Sequence, residues 1–565
     1  MNSYQVIKTL FDKNEKKIFF LTIFVGLIVA CLEVMGLASI FPFIIALTNP
    51  DELNKFDFVI KFREFFNLSK NLEFINFLGF FYLSVILLSN FLGLAHAWLT
   101  NYLVNKINFD KSKKLLKNYL DKTFEYHLKN NSSLLITNII EETLRFAHGV
   151  VGSFISLITK TLLIIFILIS LLIINFKISL SVILIFSGLY FFIFVLIRKK
   201  ISDNGKKISS IMPKRQKKMF ESLSGFKELT IYGKKFVLLD EFNNLSNHLK
   251  KLRWINSSLA QTPKFIIETV VLGGFIIFVL ANQNQNENFL NLIPTISIFA
   301  FAAYKIMPAA QQIFASYAQI KGDISSLRNL KNDLSETKKN QNSYLKKIFF
   351  KDKIILDKIT FKYKEKKILK NFQMIIKKNQ IIGLKGESGV GKSTLANIIL
   401  GLIYPEKGKI LIDKKILNQK NARSWRKQIG YVGQNIYMFD ESIMYNITLE
   451  KNKQKIDQIR LKKVLKDTNL NSLINSLPNK INTKVGERGS RLSGGQLQRI
   501  SIARALYRKT ELIIFDEPTS ALDEDNELKI LNIIKNISKN KNSTIMIISH
   551  KKQMFRYCNK IYSIK

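Results

Sequence analysis

Two cysteines in 565 residues leave almost no disulfide chemistry open. Cys31 lies inside an apolar run and Cys558 near the C-terminus, so no bridge between them is expected and the chain reads as made for a reducing compartment. A cleavable leader is missing as well. The first apolar run is too long for a signal-peptide core and no small-residue cleavage site follows, so the run is expected to stay in place. Acidic residues are scarce, 42 against 86 Lys and Arg, giving a net charge of +44. That excess does not mark a nucleic-acid binder. The lysines are scattered through every polar stretch rather than gathered in a stripe with aromatic stacking residues, and no nucleic-acid partner is expected. A basic face beside anionic lipid headgroups accounts for the charge.

What is present is divided unevenly. Hydrophobic residues make up 47% of the chain, with 44 Phe, yet charged residues make up 23%, and the apolar runs fill the first 320 or so residues. Six stretches, near 18–48, 75–104, 148–174, 177–197, 264–282 and 288–318, approach or exceed the length needed to cross hydrocarbon about 30 Å thick. The loop after the second carries Lys111, Lys113, Lys114, Lys117 and Lys122, and the loop after the fourth begins Arg198-Lys199-Lys200, whereas the loop after the fifth has neither Lys nor Arg. The basic loops belong in the cytoplasm, together with the N-terminus and the polar C-terminal half. Both are predicted as helical extensions whose tips, near Asn130–Leu134 and Leu223–Leu229, rest on that half.

Residues 51–70 fall on the outer side, with Phe58, Phe62, Phe65 and Phe66 on one helical face. They read as a helix lying in the membrane interface, either covering the bundle or touching a lipid substrate. Ionisable residues inside spans are costly and therefore informative. Lys264 and Glu268 are four apart and are expected to pair. Glu33, Lys160 and Lys305 have no complement nearby in sequence. The lysines would draw an anionic headgroup into a cavity, or find a partner on another helix or at the interface.

The C-terminal half carries chemistry. An apolar strand leads into Gly386-Glu387-Ser388-Gly389-Val390-Gly391-Lys392-Ser393-Thr394 and then a helix. Glycines there let backbone N–H groups converge on phosphates, and the helix N-terminus adds its positive end. Lys392 reaches the β- and γ-phosphates and the Ser393 hydroxyl serves Mg2+. Tyr363, upstream, is placed to stack on an adenine or is an ordinary strand residue. Gln434 follows a strand and either ligates Mg2+ or positions water. The apolar strand ending in Asp516-Glu517 offers one carboxylate for Mg2+ and a second as general base for the attacking water. His550, after a further strand, is placed to hydrogen-bond the γ-phosphate.

With these residues in view, 350–565 resembles the nucleotide-binding domain of ABC transporters. Ser493-Gly494-Gly495-Gln496 matches that family's signature peptide, Val485 to Gly489 its X-loop and Ser520-Ala521-Leu522-Asp523 its D-loop. Residues 1–335 are similar to exporter half-transporters of the MsbA-like type, with 336–349 as linker. The resemblance implies an α-helical six-span transmembrane domain followed by an α/β P-loop ATPase, binding ATP and Mg2+. It also implies a homodimer in which each signature peptide closes on the other P-loop, in the bacterial inner membrane. Within the family, 294–299, 304–308 and Glu33 before Phe41-Pro42-Phe43 resemble lipid-linked oligosaccharide flippases of the protein-glycosylation type. The cargo so implied is a polyprenyl-pyrophosphate glycan, with a lipid A core, a peptide or a drug as the alternative. A membrane-bound regulatory ATPase is the reading without transport. Related cassettes usually continue into a short C-terminal tail, whereas this chain stops at Lys565.

Overall fold

A computed structural model describes residues 11–48, 63, 71–174, 176–282, 289–335, 347–363, 366–387, 389–519, 523–539 and 543–564. The interfacial segment with Phe58 and Phe62 lies outside these residues, as do Ser388 and Ser520 to Leu522. The chain divides into two compact units, Met1–Lys122 with His127–Lys339 and Thr123–Tyr126 with Asn340–Lys565.

The first unit is built from six long helices. They are α1 (Lys13–Thr48), α2 (Asn71–Leu120), α3 (Ser132–Ile174), α4 (Phe176–Ser224), α5 (Lys235–Asn282) and α6 (Phe289–Ser335). By length and composition α1, α2 and α3 each suffice to cross a membrane. The other three expected spans lie on α4, α5 and α6, and the helices run well past the apolar stretches, as the basic loops predicted. α3 and α4 meet as a tight hairpin, with the Ser179 hydroxyl donating to the Leu171 carbonyl at 2.8 Å. Where α1, α3 and α6 meet, small and branched residues interlock: Ala30 and Leu37, Leu163 and Ile167, Ile298 and Ala302. In hydrocarbon such contacts hold by close fit rather than by exclusion of water, which is why alanines recur at the crossing.

Among the described residues of this unit, the fully buried charges are paired. Lys111 and Glu15 are each 1% exposed, and the ammonium donates to both carboxylate oxygens, at 2.9 and 2.8 Å. Lys111 is therefore a structural tie between α1 and α2 rather than one of the free basic charges facing headgroups. The expected Lys264–Glu268 pair is not formed, and the Lys264 ammonium stands 5.7 Å from the Phe265 ring instead. Lys305 finds its complement on another helix, 3.5 Å from Glu33. Lys160 is half-buried on α3 and makes no ion pair among the described residues.

A polar knot fixes the end of α6 that leads into the linker. Arg145 of α3 donates to Asp323 at 2.7 Å, to Glu142 at 2.9 Å and to the Gly322 carbonyl at 3.0 Å. α3 is π-helical over Asn138–Glu142 and Arg145–Gly152, an irregularity that re-aims side chains from a continuous helix. Glycine is needed on both sides of the knot: a Cβ on Gly149 would sit 2.0 Å from the Asp323 carboxylate, and one on Gly205 2.1 Å from the Gly322 carbonyl. Ten residues on, Asp333 accepts from Tyr119 at 2.5 Å and from Asn138 at 3.2 Å.

The second unit has two sheets. One is antiparallel, in the order β2-β1-β4-β5, from β1 (Lys353–Tyr363), β2 (Lys366–Lys377), β4 (Lys407–Ile412) and β5 (Lys415–Ile416). The other is parallel, in the order β6-β7-β8-β3-β9, from β3 (Ile381–Lys385), β6 (Ile429–Val432), β7 (Leu512–Asp516), β8 (Thr544–Ser549) and β9 (Lys560–Ser563). β7 and β8 are buried along their whole length, the continuous apolar pattern that parallel strands covered on both faces require. The core includes Trp425, whose indole donates to the Ile399 carbonyl at 2.7 Å, and Ile348. The expected linker to 349 is thus too long, because Ile348 is fully buried in this core.

Arg145 stands between two carboxylates, Glu142 and Asp323, so removing Asp323 takes away one charge-assisted contact and leaves the other. Asp323→Ala is expected to lower the stability of the membrane unit by about 1.5–3 kcal/mol, read as an earlier thermal unfolding in detergent; an unchanged transition refutes the knot as a structural tie. Cys558 packs under Gly383, and burial pushes its thiol up to about 12. Iodoacetamide at neutral pH should therefore spare Cys558 in the folded protein and modify it after unfolding, as read by peptide mass spectrometry. Equal labelling in both states would contradict the packing.

Candidate nucleotide-hydrolysis site

Three neighbouring strands deliver the site. Lys385 of β3 stands opposite Ser549 of β8, and Ile548 of β8 opposite Asp516 of β7. The P-loop, Asp516-Glu517 and Ser549-His550 therefore emerge side by side at the carboxyl edge of a parallel sheet, where open α/β sheets bind ligands.

The loop turns into α7 (Lys392–Ile399) through Gly391, whose φ of 108° and 2.6 Å clearance between an added Cβ and Ile368 admit only glycine. Gly389, at φ 82°, makes a second left-handed turn. Lys392 is 5% exposed and donates to the carbonyls of Gly386 at 2.9 Å and Glu387 at 2.8 Å. Ser393 and Thr394 follow in the first turn. Val390, with Gly389, also faces a cleft of about 480 Å³ that Lys366, Lys367 and Lys370 make basic. Tyr363 ends β1, 43% exposed, its ring edge-on to Phe361.

Glu517 is the point of convergence. Its carboxylate accepts from the Gln434 amide at 2.9 Å and lies 3.4 Å from the Lys392 ammonium and 3.5 Å from Nδ1 of His550. Its φ of 50° is left-handed, strained for a side chain with a Cβ, and its N–H is held by the Ile548 carbonyl at 2.9 Å. Asp516, one residue earlier, is buried. Burial raises its pKa, opposed by hydrogen bonds from Ser393 and Tyr431. The Tyr431 hydroxyl donates to it at 3.2 Å, and burial, then the Asp516 charge, push that phenol well up. Tyr431 was not legible as a site residue; only its place in β6, paired with β7, brings it there.

The other oxygen of Asp516, Oδ1, is buried without a hydrogen-bond partner among the described residues. An orphaned carboxylate oxygen beside a serine hydroxyl at a phosphate loop fits a hard divalent cation that keeps most of its coordination for phosphate and water. Asp516 and Ser393 would hold Mg2+, which would supply neutralisation of the charge on the β- and γ-phosphates. Gln434 is turned to Glu517 in this structure.

The signature peptide forms the start of α8 (Gly494–Tyr507). Ser493 and Gln496 make a reciprocal capping box, with Ser493 N–H donating to the Gln496 side chain at 2.9 Å. This uses both side chains for local order and leaves the N–H groups of Gly494 and Gly495 at a helix N-terminus, suited to an anion. They belong to the same chain as the P-loop.

Comparison with known proteins agrees with this construction. The ABC transporter family model matches residues 369–520, and that of the ABC transporter transmembrane region matches 17–257. The chain is similar to the ATP-dependent lipid A-core flippase of Wigglesworthia glossinidia brevipalpis, 26% identical over 81% of this chain and 79% of that one. It is likewise 27% identical to the ATP-dependent lipid A-core flippase of Blochmanniella pennsylvanica, over 82% and 79%. Among solved structures, a bacterial Atm1-family ABC exporter with ATP bound shares the fold, with a TM-score of 0.74 at 17% identity, covering 98% of this chain and 94% of that one. The chain joins an ABC transporter transmembrane region, helical throughout its long elements, to an ABC transporter ATPase domain on one polypeptide, in the fold of an ABC exporter. Both of these relatives are lipid A-core flippases by name, which matches the alternative cargo expected from the sequence rather than the oligosaccharide.

Glu517→Gln keeps the shape and the contact with Gln434 but removes the base. Hydrolysis should fall by about 10²–10⁴-fold while binding of a fluorescent ATP analogue is retained. Full turnover in the variant would remove Glu517 from the reaction.

Proposed function

We propose that the protein is one half of a homodimeric, ATP-driven flippase in the bacterial inner membrane, with its ATPase domain in the cytoplasm, and that its cargo is a lipid A-core-type glycolipid. Similarity over four-fifths of the chain to lipid A-core flippases carries this reading. In it, Tyr363 stacks on the adenine, Gly386 to Thr394 cradle the phosphates, and Asp516 with Ser393 holds Mg2+. Glu517 takes the proton from the attacking water while His550 and Gln434 hold the γ-phosphate and that water in place. The signature residues Ser493 to Gln496 complete the site of the partner subunit.

Two features of the membrane unit suit an amphipathic cargo. An apolar cavity of about 330 Å³ is lined by Leu168, Ile183, Ile267, Phe299, Ala303 and Met307. Lys305 lies close by on α6, held by Glu33 at 3.5 Å and still 32% exposed. A long, incompletely screened ion pair leaves the ammonium able to take a phosphorylated headgroup without the cost of a bare lysine in hydrocarbon. The second reading, a polyprenyl-pyrophosphate oligosaccharide, is favoured by the resemblance at 294–299 and 304–308 and by the same cation.

Proteoliposomes offered a fluorescent lipid A-core glycolipid or a short-glycan polyprenyl-pyrophosphate decide between them, with Glu517→Gln as control. ATP-dependent movement of the first alone supports the proposal; movement of the second alone replaces it. Lys305→Met is expected to cut flipping by about tenfold, the scale of one lost charge-assisted contact, with basal ATPase within about twofold. Equal loss of both activities would make Lys305 structural.

A further inference from the structure

Lys551, the residue after His550, is used by none of the chemistry above, and its contacts are specific. The Lys551 ammonium donates to the Thr519 carbonyl at 3.2 Å and makes a short ion pair with Glu527. Thr519 is buried and stands two residues beyond Glu517. Its hydroxyl is turned to Met554 in the loop that follows Lys551. Glu527 is buried in the first turn of α9 (Glu524–Lys539), where its N–H bonds the Asp523 carbonyl at 2.9 Å. The lysine's own N–H is held by the Ser549 hydroxyl at 3.0 Å, so backbone and side chain are both fixed. One turn of α9 thereby receives a cation from the loop carrying His550. The same turn packs on the signature helix: an added Cβ on Gly495 would lie 2.9 Å from the Asn526 side chain.

We propose that Lys551 is a positioning residue for hydrolysis. It ties the loop of His550 to the segment leaving Glu517 and to the turn of α9 that abuts the signature peptide. His550 is 53% exposed and 3.5 Å from Glu517, a contact too loose to fix the histidine by itself. The ammonium of the next residue, clamped by a buried carboxylate and a buried carbonyl, supplies that fixation. Because α9 touches Gly495, a displacement of the histidine loop is felt at the signature peptide, which in the proposed dimer serves the other nucleotide. The inference rests on the ATPase chemistry of Glu517.

The test uses the full-length protein in detergent or nanodiscs. Lys551→Met removes the charge and keeps the length. kcat for ATP should fall on the order of tenfold, with KM and the binding of a fluorescent ATP analogue within about twofold and the thermal transition preserved. Lys551→Arg should retain most activity. The exchanged pair Lys551→Glu with Glu527→Lys should recover activity relative to Lys551→Glu alone. Wild-type kcat in Lys551→Met overturns the proposal. So does a parallel loss of kcat, nucleotide binding and thermal stability, or failure of both Lys551→Arg and the exchanged pair to restore turnover. Glu517→Gln separates the two failures: if it still hydrolyses ATP, the chemistry assumed here is wrong, and if it does not, only the role of Lys551 is at stake.

Discussion

The carboxylate of Glu517 is the constraint on which the site depends. A left-handed residue at the end of a buried strand draws an amide, an ammonium and an imidazole from three separate loops to one point. Each would repel or ignore the others without that anion. The strain of its backbone is borne because β7 and β8 are buried throughout and because the Ile548 carbonyl holds its N–H. The sheet register fixes the strand ends, the strand ends fix the loops, and the carboxylate fixes the side chains.

The membrane unit follows a matching rule with a different solvent. There the cost of an unpaired charge is what organises the helices. Arg145, Lys111 and Lys305 each meet a carboxylate from another helix. The first two ties are tight and buried, and they sit toward the polar ends of the bundle. The third is longer and more exposed, and it lies beside the apolar cavity. A gradient from closed to open pairing separates charges that hold structure from the one with spare capacity.

Most of the ATPase unit was legible because its signals are local. Gly386 to Thr394 constrain φ, charge and helix start within nine residues, and Asp516-Glu517 end an unbroken apolar strand. What escaped depends on neighbours set by tertiary pairing. Tyr431 becomes a partner of Asp516 only because β6 lies against β7. Lys551 shows its role only when α9 is in place. In the membrane unit, i to i+4 spacing suggested Lys264 with Glu268, yet bundle packing left them apart, and the true complements of Lys305 and Lys111 lay far off in sequence. Apolar periodicity finds spans well and partners badly, since every face of such helices is apolar. Ile348 was assigned to the linker because the short apolar step Ile348-Phe349-Phe350 between lysines carries little weight until Ile348 and Phe350 are seen in one core with Trp425.

The Glu15–Lys111 tie has a consequence for how the chain is made. Glu15 is synthesised 96 residues before the only basic side chain that meets it at hydrogen-bond distance among the described residues. Until then α1 carries, at the polar end of its span, a carboxylate whose basic partner has not yet been made, and its tie to α2 cannot close. The tie is complete only in the hairpin of α1 and α2. Its closure waits for the ribosome to deliver the far end of the second helix, so the order of translation becomes the order of assembly.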